Sequence, residues 1–199
     1  RDADGSLILW RDGQSITLMP AHVPWRDARL NERGEVCLVE RSAGDEPDRL
    51  LFYPDPTGAP ESVAWGPTPS RFYNRVNLAA FNDRGTVILS TESESVPAFP
   101  PPSDVVHETF RLDIGSGSRS LLASFTSATT ADYAIREEGS TWQVFDLDNL
   151  GRSIGRFSTW SASSGPYFEG WELHFESTYS AIDRFDTLPF DGLAINDAG

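Results

Sequence analysis

The chain has 199 residues, 39% hydrophobic and 12% aromatic, which suits one folded domain rather than a disordered chain. Its formal net charge is −14, from 30 acidic and 16 basic residues that are all arginine, and this argues against nucleic acid or an anionic membrane as partner, since both need a basic face. No apolar run of about 18 residues offers a transmembrane segment, and the single Cys37 excludes an internal disulfide.

The chain opens on Asp2-Ala3-Asp4-Gly5, which resembles the start of a calcium loop. It lacks the third acidic position and the distal Glu of an EF-hand, so it reads as turn chemistry. Calcium is the sole cofactor candidate, and none is expected otherwise. Leu7–Trp10 and Gln14–Leu18 then flank Arg11-Asp12-Gly13, and Asp-Gly between two apolar runs is a strong hairpin signal. Ala28–Leu30 and Glu35–Glu40 flank Asn31-Glu32-Arg33-Gly34, with Cys37 read as a buried thiol in the second run. A second hairpin follows from Asp48–Tyr53 through Pro54-Asp55-Pro56-Thr57-Gly58 to Glu61–Trp65.

The clearest unit is Ala80-Phe81-Asn82-Asp83-Arg84-Gly85-Thr86-Val87-Ile88-Leu89. Asn82 can cap its own backbone and Gly85 can take positive φ, the chemistry of a type I turn with a Gly bulge. Ser93–Asp104, with four prolines, reads as a stiff exposed excursion. Thr109–Asp113 and Arg119–Leu122 form another hairpin around an Asp-and-Gly loop, and Glu137-Glu138 read as a solvated turn before Gly139. Thr141–Phe145 and Arg152–Trp160 flank the Asp148 turn, with Trp171–Phe175 and Ala181–Phe185 as the outer hairpin. No segment carries helical periodicity with capping signals.

The Asx-x-x-Gly turn recurs as Asn31/Gly34, Asn82/Gly85, Asp148/Gly151 and Asn196/Gly199, spaced 51, 66 and 48 residues apart. One hairpin turns on this motif and the next on an Asp-and-Gly loop, and two consecutive hairpins make a four-stranded meander. The expected fold is all-β: a β-propeller or propeller-like array of four-stranded antiparallel meanders. One repeat domain over 1–199 holds a half-blade at 1–18, blades at about 26–65, 76–125 and 133–185, and a half-blade at 193–199. Trp10, Tyr53 and Leu112 fall at equivalent places and are expected to pack between blades. The half-blades leave strand edges to be paired. The expected order of solutions is a segment of a longer propeller, then strand addition between chains, then closure of a four-bladed ring.

Ile195-Asn196-Asp197-Ala198-Gly199, Phe81-Asn82-Asp83-Arg84-Gly85 and Leu9-Trp10-Arg11-Asp12-Gly13 resemble the tandem Asn-x-x-Gly and Leu-Trp-x-x-Gly elements of bacterial HAF-type repeat proteins. The resemblance implies a secreted, periplasmic or surface-anchored β-propeller with no general catalytic motif.

Few constellations offer chemistry. His22, His107 and His174 lie far apart without a metal-ligand partner at close spacing, so no metal site is expected. No nucleophile motif, glycine-rich phosphate loop or CxxC occurs, so no catalytic residue is assigned. Trp25 and Trp65 sit at loop boundaries, and Trp171 lies between Glu169 and Glu172, so these five are the candidate ligand contacts. Aromatics beside carboxylates suit sugar binding, and a glycosidase needs two carboxylates at about 5–10 Å. The leading expectation is a non-enzymatic extracytoplasmic module for protein binding or surface assembly, without a membrane span. The alternatives are a carbohydrate-binding or carbohydrate-active propeller and an acidic inhibitor of a basic protein.

Overall fold

A computed structural model describes the backbone of residues 5–42, 46, 48–65, 71–95, 103–129, 135–161, 165–175 and 178–183. Side chains are described within these spans except at 71–75, 95, 103, 129, 135–137 and beyond 155. No helix occurs among the described residues. β1 (Leu7–Arg11) and β2 (Gln14–Met19) form a two-stranded sheet. β3 (Trp25–Leu30), β4 (Val36–Glu40), β5 (Arg49–Tyr53) and β6 (Glu61–Val63) form a four-stranded antiparallel meander. β7 (Arg71–Phe81), β8 (Thr86–Ser95), β9 (Ser103–Asp113) and β10 (Arg119–Thr129) make a second meander. β11 (Ile135–Leu147), β12 (Ser153–Ser161), β13 (Gly165–Phe175) and β14 (Thr178–Asp183) make a third.

The second and third meanders are one continuous eight-stranded sheet, where the sequence suggests two separate blades. The join is made by strand length. β10 and β11 run past their own hairpins, and Phe125–Thr129 pair with Ile135–Gly139. Glu137 and Glu138 are therefore strand residues of β11, a correction to the turn expected there. Gly139 is the last residue of β11 paired with β10 and the first paired with β12. Its φ is +115°, and a Cβ on it would stand 2.2 Å from the Ser124 carbonyl oxygen. Only glycine lets the two backbones pass so closely. Past this point the sheet curls, bringing β11 across to β7 and β9.

Alternation along the strands decides what faces what. In β4 four successive residues are buried. Val36 and Leu38 pack with Leu51 and Tyr53 against Leu18 and Met19 of β2. Cys37 and Val39 point the other way and pack with Leu50, Val63 and Trp65 against Val87, Leu89, Phe110 and Leu112 of the second meander. Burial pushes the Cys37 thiol up to about 12, so it stays neutral and inert. β8 repeats the pattern, because Ile88 turns away from Val87 and Leu89 to join Ala80, Ala123, Trp142, Val144 and Leu147. The first meander and the β8 region of the long sheet thus each pack apolar side chains on both faces.

The hairpins follow their turn residues. Asp12 and Gly13 both take positive φ, 52° and 77°, as a two-residue type I′ turn requires. In the outer hairpins Asp55 and Asp113 each hold a tight loop. Asp55 Oδ1 accepts from the Thr57 N–H at 3.0 Å and its hydroxyl at 2.9 Å. Asp113 Oδ1 accepts from the Ser116 hydroxyl at 2.6 Å and its N–H at 2.7 Å. These donors hold both carboxyls below the ordinary range.

Trp10 corrects one expectation. Its counterparts Tyr53 and Leu112 are 4% and 0% exposed, but Trp10 is 72% exposed. Leu7 and Leu9 of β1 face the first meander, while Trp10 lies on the opposite face, where no sheet follows among the described residues. Ser93–Ser95 end β8, with Ser93 fully buried, and Ser103 and Asp104 begin β9, a correction to the exposed excursion read over Ser93–Asp104; residues 96–102, the 193–199 half-blade and Asp2-Ala3-Asp4 lie outside the described residues.

Candidate functional site

Two features occupy the inner strands: a row of turns at one end and a cleft midway along. The row is built from Asn31, Asn82 and Asp148, all buried. Within each turn the glycine N–H donates to the first residue's carbonyl, at 3.1, 3.2 and 3.1 Å for Gly34, Gly85 and Gly151. These glycines have φ of +80°, +75° and +84°, which a β-carbon would strain. The first residue's Oδ1 accepts from the N–H four residues on, of Glu35 at 2.9 Å, Thr86 at 3.0 Å and Arg152 at 2.8 Å.

The remaining amide hydrogens join one turn to the next. Asn31 Nδ2 donates to the Asn82 carbonyl at 3.1 Å, and Asn82 Nδ2 donates to the Asp148 carbonyl at 2.8 Å. Backbone N–H groups of the turns also bond the second residue of the following turn. Arg33 N–H donates to Asp83 Oδ1 at 3.2 Å, and Asp83 N–H donates to Asn149 Oδ1 at 2.7 Å. Asp148 carries no side-chain N–H to pass on, and its Oδ2 instead accepts from the Arg152 guanidinium. All three turns line one cavity of about 500 Å³.

The cleft measures about 490 Å³ and opens where β3, β7 and β11 meet, reaching between β8, β9 and β11. Glu92 and His107 stand directly opposite each other on β8 and β9. His107 Nδ1 is 3.9 Å from Glu92 Oε2, an ion pair when the imidazole is protonated. The His107 ring lies 5.8 Å from that of Phe125, tilted by 41°. The Thr109 hydroxyl donates to the Trp142 carbonyl at 3.0 Å and lies 3.4 Å from Ser90 Oγ. From β3, Arg29 donates to the Ala79 carbonyl at 3.2 Å and to Asp27 Oδ1 at 2.9 Å. Carboxylate, imidazole, hydroxyls and aromatic faces in one cleft suit a small polar ligand. No group of three metal-ligating side chains occurs among the described residues.

Of the five sequence-derived contact residues, Trp25 and Trp65 have described side chains. Trp65 is 5% exposed, and its Nε1 donates to the Asp48 carbonyl at 2.9 Å, so it is core and not a surface contact. Trp25 is half-buried, with Nε1 donating to the Gly5 carbonyl at 3.1 Å, and lines a separate polar cavity with His22, Arg26 and Arg41. Glu169, Trp171 and Glu172 are on β13, opposite Ser158, Arg156 and Gly155. Their side chains lie outside the described residues, as do Asn196 and Gly199. The cleft residues Glu92 and His107 escape sequence reasoning because only the β8–β9 register brings them together. A His and a Glu at opposed strand positions were the available signal.

No family model, curated protein or solved structure matches this chain. No helix among the described residues is long and apolar enough to cross a membrane.

Proposed function

We propose that the chain is a propeller-type, non-enzymatic module that binds a protein or assembles on a surface outside the cytoplasm. The observation that carries this reading is Trp10. At 72% exposure it is a large aromatic left open at a repeat position whose counterparts are buried against a neighbouring sheet. Ile8 shares its face of β1, opposite Thr17 and Ser15 of β2, so the face is apolar at its centre and polar at its border. Aromatic anchors of this kind dominate protein interfaces. The HAF-type resemblance supports the extracytoplasmic setting.

The test is sedimentation of the full chain over rising concentration, beside Trp10→Ser. Self-association that the substitution abolishes is the expected result, and a monomer at every concentration overturns assembly through this face. A second reading, carbohydrate binding, is favoured by the cleft with its opposed Glu92 and His107 beside Phe125. A glycan array probed with the full chain separates the two, because glycan binding lost in His107→Ala and kept in Trp10→Ser selects the cleft.

A further inference from the structure

Four of the five arginines between Trp25 and Trp65 pair with a carboxylate, at 2.6–3.2 Å. Arg41 is the fifth. Its backbone N–H donates to the Pro24 carbonyl at 3.0 Å, but nothing among the described residues accepts from its guanidinium. Acidic residues outnumber basic ones 30 to 16, so a partner was not scarce. Arg41 lines a cavity of about 770 Å³ with His22, Trp25, Arg26 and Asn77, and no carboxylate is among the described lining residues. The cavity is held in shape from several sides. His22 lies in a turn closed by the Val23 N–H on the Pro20 carbonyl at 3.1 Å. Asp48 holds the Arg26 guanidinium, with Oδ2 accepting from Nε at 2.6 Å and Oδ1 from the Ser42 N–H at 3.2 Å. The Trp25 indole is anchored by its Nε1–H on the Gly5 carbonyl at 3.1 Å.

We propose that this cavity binds a sugar acid, with the carboxylate on Arg41 and the ring against Trp25. A guanidinium presents parallel N–H groups that match the two oxygens of a carboxylate. Asp48 already matches the Arg26 charge, so Arg41 supplies the charge that the ligand neutralises. His22 and Asn77 each offer a donor and an acceptor to ring hydroxyls, and a plain aromatic acid would leave them unmatched. The cavity falls within the roughly 300–1,000 Å³ usual for small-molecule sites. The net charge of −14 does not bar an anion, because exposed charges more than about 8 Å away are largely screened at physiological salt. The cavity shares Asn77 with the cleft but neither Glu92 nor His107, and the inference rests on neither the cleft nor the Trp10 face.

Glucuronate titrated into the full chain tests the site, read from the Trp25 indole N–H signal in heteronuclear spectra. Saturable movement of that signal is expected, while glucose at the same concentration leaves it in place. Arg41→Gln keeps the backbone bond to Pro24 and removes the charge, so it should weaken binding about tenfold or more. His107→Ala should leave binding unchanged. No movement with glucuronate, equal movement with glucose, or undiminished affinity in Arg41→Gln overturns the proposal. Binding lost in His107→Ala moves the sugar acid to the cleft and overturns it too. Displacement by an equal concentration of inorganic phosphate shows a bare anion site and overturns the sugar-acid assignment.

Discussion

The seam between the first and second meanders and the seam between the second and third are built on opposite faces of the same strand, yet they finish differently. On the first-seam face of β8, Val87 and Leu89 are succeeded by Thr91 and Ser93, which stay buried. Their hydroxyls donate to the Glu108 and Val106 carbonyls at 3.5 and 3.4 Å. On the other face, Ile88 is succeeded by Ser90 and Glu92, which line the cleft. The first-seam face of β8 therefore stays buried along its described length, while the other face is buried near the turns and lines the cleft beyond them. The difference teaches that a repeat can open a cleft by changing two residues on one strand face while the other face stays buried.

The sharpest way to break this comparison is to hollow the first seam. Phe110 is the largest fully buried side chain there. Phe110→Ala should cost about 3–5 kcal/mol in urea unfolding, and a loss below about 1 kcal/mol would show that the seam is not the principal core. Next in size is the pivot that turns the second seam back. Gly139→Ala meets a φ of +115° and the Ser124 backbone. The strain alone costs about 1–3 kcal/mol, and amide exchange in 125–129 should rise as the β10–β11 pairing loosens. An unchanged exchange pattern would mean that the curl does not depend on this glycine. The smallest effect belongs to the cleft. His107→Ala, at a half-exposed side chain, should move stability by no more than about 0.5 kcal/mol. A larger loss, read from the same urea titration, would make His107 a structural element of the sheet.

What the sequence displays is what depends on neighbours in the chain. Asn82 and Gly85 carry their turn in four residues, through a side-chain cap and a positive φ, and Asp12-Gly13 does so in two. The β-branched and aliphatic run Val87-Ile88-Leu89 marks the strand after the turn. What it does not display depends on distant partners. Trp10 and Tyr53 fall at one repeat position, and only the number of sheets beside each decides that one is open and the other buried. Trp65 follows a strand end, as an exposed loop residue would, but the Asp48 carbonyl draws its indole inward. The fusion of two meanders into one sheet rests on the extra length of β10 and β11, which no turn signal announces. Glu92 and His107 are opposed through antiparallel register alone.

The one-way order of the turns bears on how such a chain can grow by duplication of its gene. A copied unit carrying the Asn82 turn would bring both an amide to give and a carbonyl to receive, and it would fit between its parents without altering either. A copied unit carrying the Asp148 turn would bring a carboxylate that receives and cannot give. Placed inside the series, it would leave the next carbonyl unmet and divide the series in two. The exchange of one amide for one acid therefore decides which unit could be copied inside the described row without breaking its links.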